Sequence, residues 1–190
     1  MNINPDILEH ETRYCENCPL KQNVYVVGLG DSESPILVVG SQPGQLESEI
    51  GVAFTGPSGV LVREILGSLG LYEDELYYTN VLKRQGSQSK PTAGECFVCG
   101  SHLVHEIVRS QPKVILALGS IPLQFLTGRK FTLGKMHGLP FKVNRFGLEI
   151  VVVPTYSPGH IIRQGGIVST IGNEWVSDLE DFTRTVRRTM

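Results

Sequence analysis

Apolar residues in this chain fall into short unbroken runs that alternate with longer stretches of helical spacing. Residues 36–39 (Ile-Leu-Val-Val) form a β-branched run closed by Gly40, the pattern of a strand buried on both faces. Residues 76–82, 114–118 and 148–153 read the same way, with a weaker strand at 24–27. Between them, residues 58–69 set apolar side chains at 60, 61, 65, 66 and 69, which is one helix face, and Gly70 can end it. Residues 96–109 align Leu103, Val104, Ile107 and Val108 before Pro112 breaks the run. Residues 121–126 open a further helix, and residues 174–186 are amphipathic. The basic tail from Arg184 to Met190 has no pattern of its own and is expected to fray.

Continuous apolar strands alternating with helices predict an α/β fold with a mostly parallel sheet covered on both faces. In such sheets the working loops lie beyond the carboxyl ends of the strands. Three loops meet that condition: residues 40–57, 80–92 and 154–165. No repeat, low-complexity tract or linker interrupts the pattern, so residues 1–190 are expected to form a single domain.

Composition narrows the class. Apolar residues make up 41% of the chain, too many for a disordered one. No apolar run approaches the roughly 18 residues that span a bilayer, and the N-terminus shows neither a basic nor an apolar leader region. The expectation is a chain without a membrane partner, in the cytoplasm or associated with the nucleoid. The formal net charge is only −2, but it is unevenly spread. Residues 1–80 carry 3 basic and 12 acidic side chains, and residues 81–190 carry 14 and 7. The second half can face a polyanion, or the two halves can neutralise each other within one globule.

Four cysteines stand as two Cys-x-x-Cys pairs, Cys15 with Cys18 and Cys96 with Cys99. A two-residue gap lets both sulfurs of a pair reach one centre, and two pairs complete a four-thiolate set. That chemistry selects zinc or an iron–sulfur cluster, whereas disulfides are disfavoured in a chain without an export signal. Four thiolates leave no open position for substrate, so the expected role is structural, tying two distant parts of the chain together.

Five blocks then carry a resemblance: Val-Val-Gly-Ser-Gln-Pro-Gly at 38–44, Ala-Phe-Thr-Gly-Pro-Ser-Gly at 53–59, Tyr-Thr-Asn-Val-Leu-Lys at 78–83, Pro-Lys-Val-Ile-Leu-Ala-Leu-Gly at 112–119 and Pro-Thr-Tyr-Ser-Pro at 154–158. In this order and with the cysteines, the chain resembles the uracil-DNA glycosylase superfamily, most closely its iron–sulfur branch, family 4, and the related UdgX. The resemblance implies a three-layer α/β/α sandwich around a four-stranded, mostly parallel sheet. It also implies base excision repair: a uracil or modified base is flipped out of single-stranded or duplex DNA and its N-glycosidic bond is hydrolysed. It assigns base stacking to Phe54 and reading of the base edge to Asn80, whose carboxamide offers both a donor and an acceptor. Gly40 and Gly44 let backbone approach the nucleotide closely. Ser58 is placed at a phosphate beside a helix start, with Lys83 and Arg163 as further DNA-backbone contacts. A [4Fe–4S] cluster on Cys15, Cys18, Cys96 and Cys99 is favoured, with zinc as the alternative.

The chain departs from that pattern at its catalytic positions. Ser41 stands where family 4 has an acid, and Gln42 follows where other branches keep a water-positioning Asp or Asn. Gln42 can orient a water through its carbonyl oxygen but is a poor base, and general-base help is worth ~10²–10⁴-fold. Ser157 replaces the histidine that donates to the departing base, a donor worth ~10²–10³-fold. His160 substitutes for it if the loop turns back. Loop 84–92 carries no histidine, so the covalent trapping of UdgX is not expected. The family's third cluster cysteine is replaced by Arg84, and Cys96, one helical turn before Cys99, is expected to take its place. The alternative to an active enzyme is a glycosylase-fold subunit that binds DNA or a protein of a replication or repair assembly.

Overall fold

A computed structural model of the chain describes residues 18–190. Six strands form one sheet: β1 (Leu29–Gly30), β2 (Ile36–Gly40), β3 (Tyr77–Asn80), β4 (Val114–Leu118), β5 (Phe141–Arg145) and β6 (Leu148–Thr155), in the spatial order β1-β3-β2-β4-β6-β5. The central four, β3-β2-β4-β6, are parallel, as their unbroken apolar runs require. The edges differ from the four-stranded expectation, because β1 and β5 add antiparallel partners. In β5 the side chains alternate between half-buried and exposed, the mark of an edge strand with one face in water. The strand expected at 24–27 is absent; Val27 makes only an isolated bridge to Val52.

Among the described residues, six α-helices cover the sheet: α1 (Gln45–Ile50), α2 (Pro57–Ser68), α3 (Ala93–Ser110), α4 (Ser120–Thr127), α5 (Pro158–Arg163) and α6 (Thr170–Thr189). The strand period of two divides the core between them. Val38, Leu116 and Val153 pack with Trp175, Leu179 and Phe182 of α6. Leu37, Val39, Ile115 and Val152 point the other way, onto Leu103 and Ile107 of α3. The result is the expected three-layer α/β/α sandwich. Helix α6 buries Trp175, Leu179, Phe182 and Val186, a single stripe at helical spacing. That stripe holds the C-terminal tail helical through Thr189, so it does not fray as expected. Among the described residues, no helix is long and apolar enough to cross a membrane.

Strand register positions the site. Gly40 pairs with Asn80, Val39 with Ala117, and Leu118 with Thr155. The carboxyl ends of four parallel strands therefore form one row; three of the exits from it are the loops singled out by the sequence, and β4 passes through Gly119 straight into α4.

Candidate active site

A cavity of about 650 Å³ opens above that row. Its lining includes Gly40, Ser41, Gln42 and Gly44 from the loop after β2, Phe54 and Ser58 from the approach to α2, and Asn80 at the end of β3. Ser157 and Arg163 of the third loop close the other side. Nine of the candidate residues line this cavity, and Lys83 and His160 do not.

Phe54, Asn80 and Gly40 form the floor. The Phe54 ring is buried and packs against Tyr78, with centroids 5.3 Å apart. Burial raises the Tyr78 phenol above its ordinary pKa, so it stays neutral beside the aromatic floor. Phe54 sits at φ 59, a left-handed conformation uncommon for a non-glycine residue. Helix α2 can approach it because residue 59 is glycine; a Cβ there would lie 2.3 Å from Phe54 Cα. Gly40 has a similar reason. Its Cβ would lie 2.3 Å from Asn80 Oδ1 and 3.3 Å from Phe54 Cζ. The Asn80 side chain is 6% exposed, and no residue among those described hydrogen-bonds its carboxamide. A nearly buried amide facing a cavity with both ends unused is ready to take a ligand's donor and acceptor together.

Above the floor, Gln42 donates from Nε2 to the carbonyl of Gln88 (3.0 Å). Its Oε1 is buried against Gly86 and has no partner among the described residues. Such an orphan acceptor costs roughly 1–3 kcal/mol until a donor reaches it. The hydroxyls of Ser41 and Ser157 line the cavity, and Ser157 caps α5 without its side chain taking a capping bond. Glu47 is a wall residue that the sequence reading missed. Its carboxylate accepts from the Gly44 amide (2.9 Å) and the Gly56 amide (3.3 Å), tying together the two glycine turns that frame the cavity. The signal was present as Gly44-x-x-Glu47, the spacing at which a side chain reaches back to cap a helix start.

Two expectations are corrected here. Lys83 is not a surface cation. It is 1% exposed, and its Nζ lies 2.6 Å from Glu106 Oε2 and also bonds Thr79 Oγ1. Glu106 further accepts from Tyr77 (3.0 Å) and Thr79 (2.9 Å), so the ammonium is neutralised inside the protein and unavailable to a phosphate. His160 does not stand in for a histidine at 157. Helix α5 starts at once after Ser157, and successive helical residues turn by about 100°. Gly159 and Arg163 therefore face the cavity, while His160 is not among its lining residues and lies 6.1 Å, ring to ring, from Tyr156.

Cys18, Cys96 and Cys99 pack in the layer that holds Leu37, Tyr77 and Leu103. Cys18 and Cys99 are buried close enough to influence each other electrostatically. Cys18 Sγ accepts from the Leu20 amide (3.4 Å), and Cys99 Sγ from the Lys83 amide (3.0 Å). Burial pushes the Cys99 thiol up, against the amides and charge of Lys83 and the amide of Arg84. Amide donors of this kind suit a thiolate that carries a metal. Cys96 is half-buried one turn earlier on α3, and Cys15 lies outside the described residues. Among the described residues, no three metal-ligating side chains converge into a site.

A parallel-centred sandwich with an aromatic and a carboxamide at the ends of neighbouring strands defines a class. The chain belongs to the uracil DNA glycosylase superfamily, whose family profile matches residues 27–178. Within it the chain falls in the type-4 branch. It is 34% identical over 164 residues to the type-4 uracil-DNA glycosylase of Archaeoglobus fulgidus, covering 83% of this chain and 82% of that protein. The type-4 enzymes of Thermotoga maritima (34% over 162 residues, 83% of each chain) and Saccharolobus solfataricus (30% over 164 residues, 82% and 76%) are similar in the same way.

Proposed function

We propose that this protein excises uracil from DNA by hydrolysing its N-glycosidic bond. The observation that carries the proposal is the unused Asn80 carboxamide set beside the Phe54 ring at the base of a nucleotide-sized cavity. A flipped uracil stacks on Phe54, an interaction of about 1–3 kcal/mol. Asn80 donates to O4 and accepts from N3–H, which a cytosine edge does not match. Gly40 leaves the space in which the ring meets the amide. Ser58 at the start of α2 and Arg163 on α5 hold the flanking phosphates, and Gly44 lets the backbone approach the sugar.

The reacting centre relies on orientation more than on a base. As the glycosidic bond lengthens, the sugar becomes cation-like before water attacks. Gln42, which lines the cavity, is the residue left to orient that water through its carboxamide, and the Glu47 carboxylate gives the wall a negative charge that favours the cationic sugar. Ser157 donates its hydroxyl to the leaving base in place of an imidazole. This machinery lacks a strong base and a strong donor, so turnover is slower than in an enzyme that has both. The same absence favours one second reading, a DNA-binding subunit of a replication or repair assembly that keeps the pocket and has lost turnover.

Cys15, Cys18, Cys96 and Cys99 are proposed to hold a [4Fe–4S] cluster, which supplies cross-linking of the N-terminal segment to α3 and takes no part in the chemistry. Zinc is the alternative. Absorbance near about 400 nm and iron content decide between them. The function is tested by incubating the protein with single-stranded and duplex DNA bearing one uracil, then cleaving abasic sites with alkali. Product from either strand form is expected. Tight binding to uracil DNA without product at enzyme excess would select the binding subunit instead.

A further inference from the structure

Loop 84–92 closes over Gln42, and it is pinned from behind by a carboxylate that touches nothing in the cavity. Glu95, on the first turn of α3, is 5% exposed. Its Oε1 accepts from the Ser87 amide (2.8 Å). Its Oε2 accepts from the Thr92 amide (2.7 Å) and the Thr92 hydroxyl (2.9 Å). Thr92 Oγ1 in turn accepts from the Glu95 amide (3.2 Å). Three donors converge on one carboxylate from both ends of a six-residue span, which fixes where the carbonyl of Gln88 points.

That carbonyl is the anchor of Gln42 Nε2. Gly86, next to Ser87, packs on the other end of the same carboxamide, where a Cβ would lie 2.4 Å from Gln42 Oε1. Both faces of the Gln42 amide are thus set by the segment that Glu95 holds. The anchoring also decides which way round the amide sits. Nε2 must face the Gln88 carbonyl, because two oxygens there would repel, and so Oε1 is the end left without a partner. We infer that Glu95 is a positioning residue for catalysis: through Ser87, Gln88 and Gly86 it fixes the carboxamide of Gln42 in its place in the cavity wall. This inference rests on the proposed water-holding role of Gln42. It assigns to a buried residue of α3, outside the cavity, a share of a reaction carried out at the end of β2.

A double-mutant cycle tests it on the whole protein, with single-turnover excision of uracil as the readout. Glu95→Gln keeps the size of the side chain but cannot accept from all three donors. It is expected to slow the chemical step by about 10- to 100-fold while leaving KM unchanged, since the base pocket is untouched. In a Gln42→Ala background the same change is expected to cause no further slowing, although its effect on Tm persists. Ser87→Pro provides a second variant, because it deletes one N–H donor and leaves the Thr92–Glu95 cap of α3 intact. An independent readout is the side-chain amide resonance of Gln42 in nitrogen-15 spectra. It is expected to move toward the free-amide position in both Glu95→Gln and Ser87→Pro. Equal slowing in the presence and absence of Gln42, or a Gln42 resonance that stays in place in both variants, overturns the inference. If Gln42→Ala leaves excision as fast as in the unaltered protein, it is the water-holding role that fails, and the resonance still decides whether Glu95 sets the amide.

Discussion

Two residues illustrate how much depends on single atoms at the ends of strands. Gly40 carries no side chain, and that absence is its contribution: a methyl group there would meet Asn80 Oδ1 at 2.3 Å. Gly40→Ala is therefore expected to reduce uracil excision by roughly the amount that truncating Asn80 does, ~10²-fold or more, with Tm within a few degrees. Kinetics and a thermal melt on the same sample check it. Ser157 shows the converse, a position where a longer donor is missing. Ser157→His is expected to raise the single-turnover rate toward the ~10²-fold that such a donor is worth; a rate that stays the same or falls contradicts the role given to Ser157. Phe54, Asn80, Gly40 and the cavity serines were legible because each stands in a block that resembles the uracil-DNA glycosylase superfamily, and those blocks fall where strands end or helices begin. The burial of Lys83 was not. Lysine is ordinarily at the surface, and the partner that reverses this, Glu106, is a helical residue 23 positions away.

At the scale of elements, legibility followed burial. Strands β2, β4 and β6 and helices α2, α3 and α6 each bury a continuous run or stripe, so periodicity alone exposes them. Helix α1 buries none of its residues and has no apolar face to read; capping by Glu47 and the turn at Gly44 define it. Helix α5 has only six residues after Ser157, and its start decides that His160 faces Tyr156 and not the cavity. The junction of β3 with α3 carries the Lys83–Glu106 pair, whose removal tests its energetic role. Lys83→Met leaves a buried carboxylate uncompensated and is expected to cost about 3–5 kcal/mol in urea unfolding. Replacing both partners, Lys83→Met with Glu106→Leu, is expected to recover most of that loss. A double variant no more stable than the single one contradicts this account.

Across the whole molecule, the third loop is braced from the C-terminal helix. Asp178 of α6 accepts from Thr155 (2.6 Å) at the end of β6 and lies 3.0 Å from His137 Nδ1. Trp175 Nε1 donates to the carbonyl of Tyr156 (3.0 Å), one residue before Ser157. Burial raises the Asp178 carboxyl above its usual range and outweighs the hydrogen bonds from Thr155 and His137. An acid whose folded pKa is raised binds its proton more tightly in the native state, so its contribution is full at low pH and declines as pH rises through the raised value. Asp178→Asn, which has no proton to lose, is expected to gain stability relative to the unaltered protein as pH climbs above 3.8, read as a growing difference in urea midpoints. A difference that shrinks over that range contradicts the assignment. These braces, the register of four strand ends and the glycine turns all converge on one pocket. The most direct test of that convergence is single-turnover release of uracil from single-stranded DNA by the unaltered protein and by Asn80→Ala, each at saturating enzyme. Abasic product from the first and a loss of ~10²-fold or more in the second is the predicted result. Equal rates from the two proteins would mean that the base is read elsewhere.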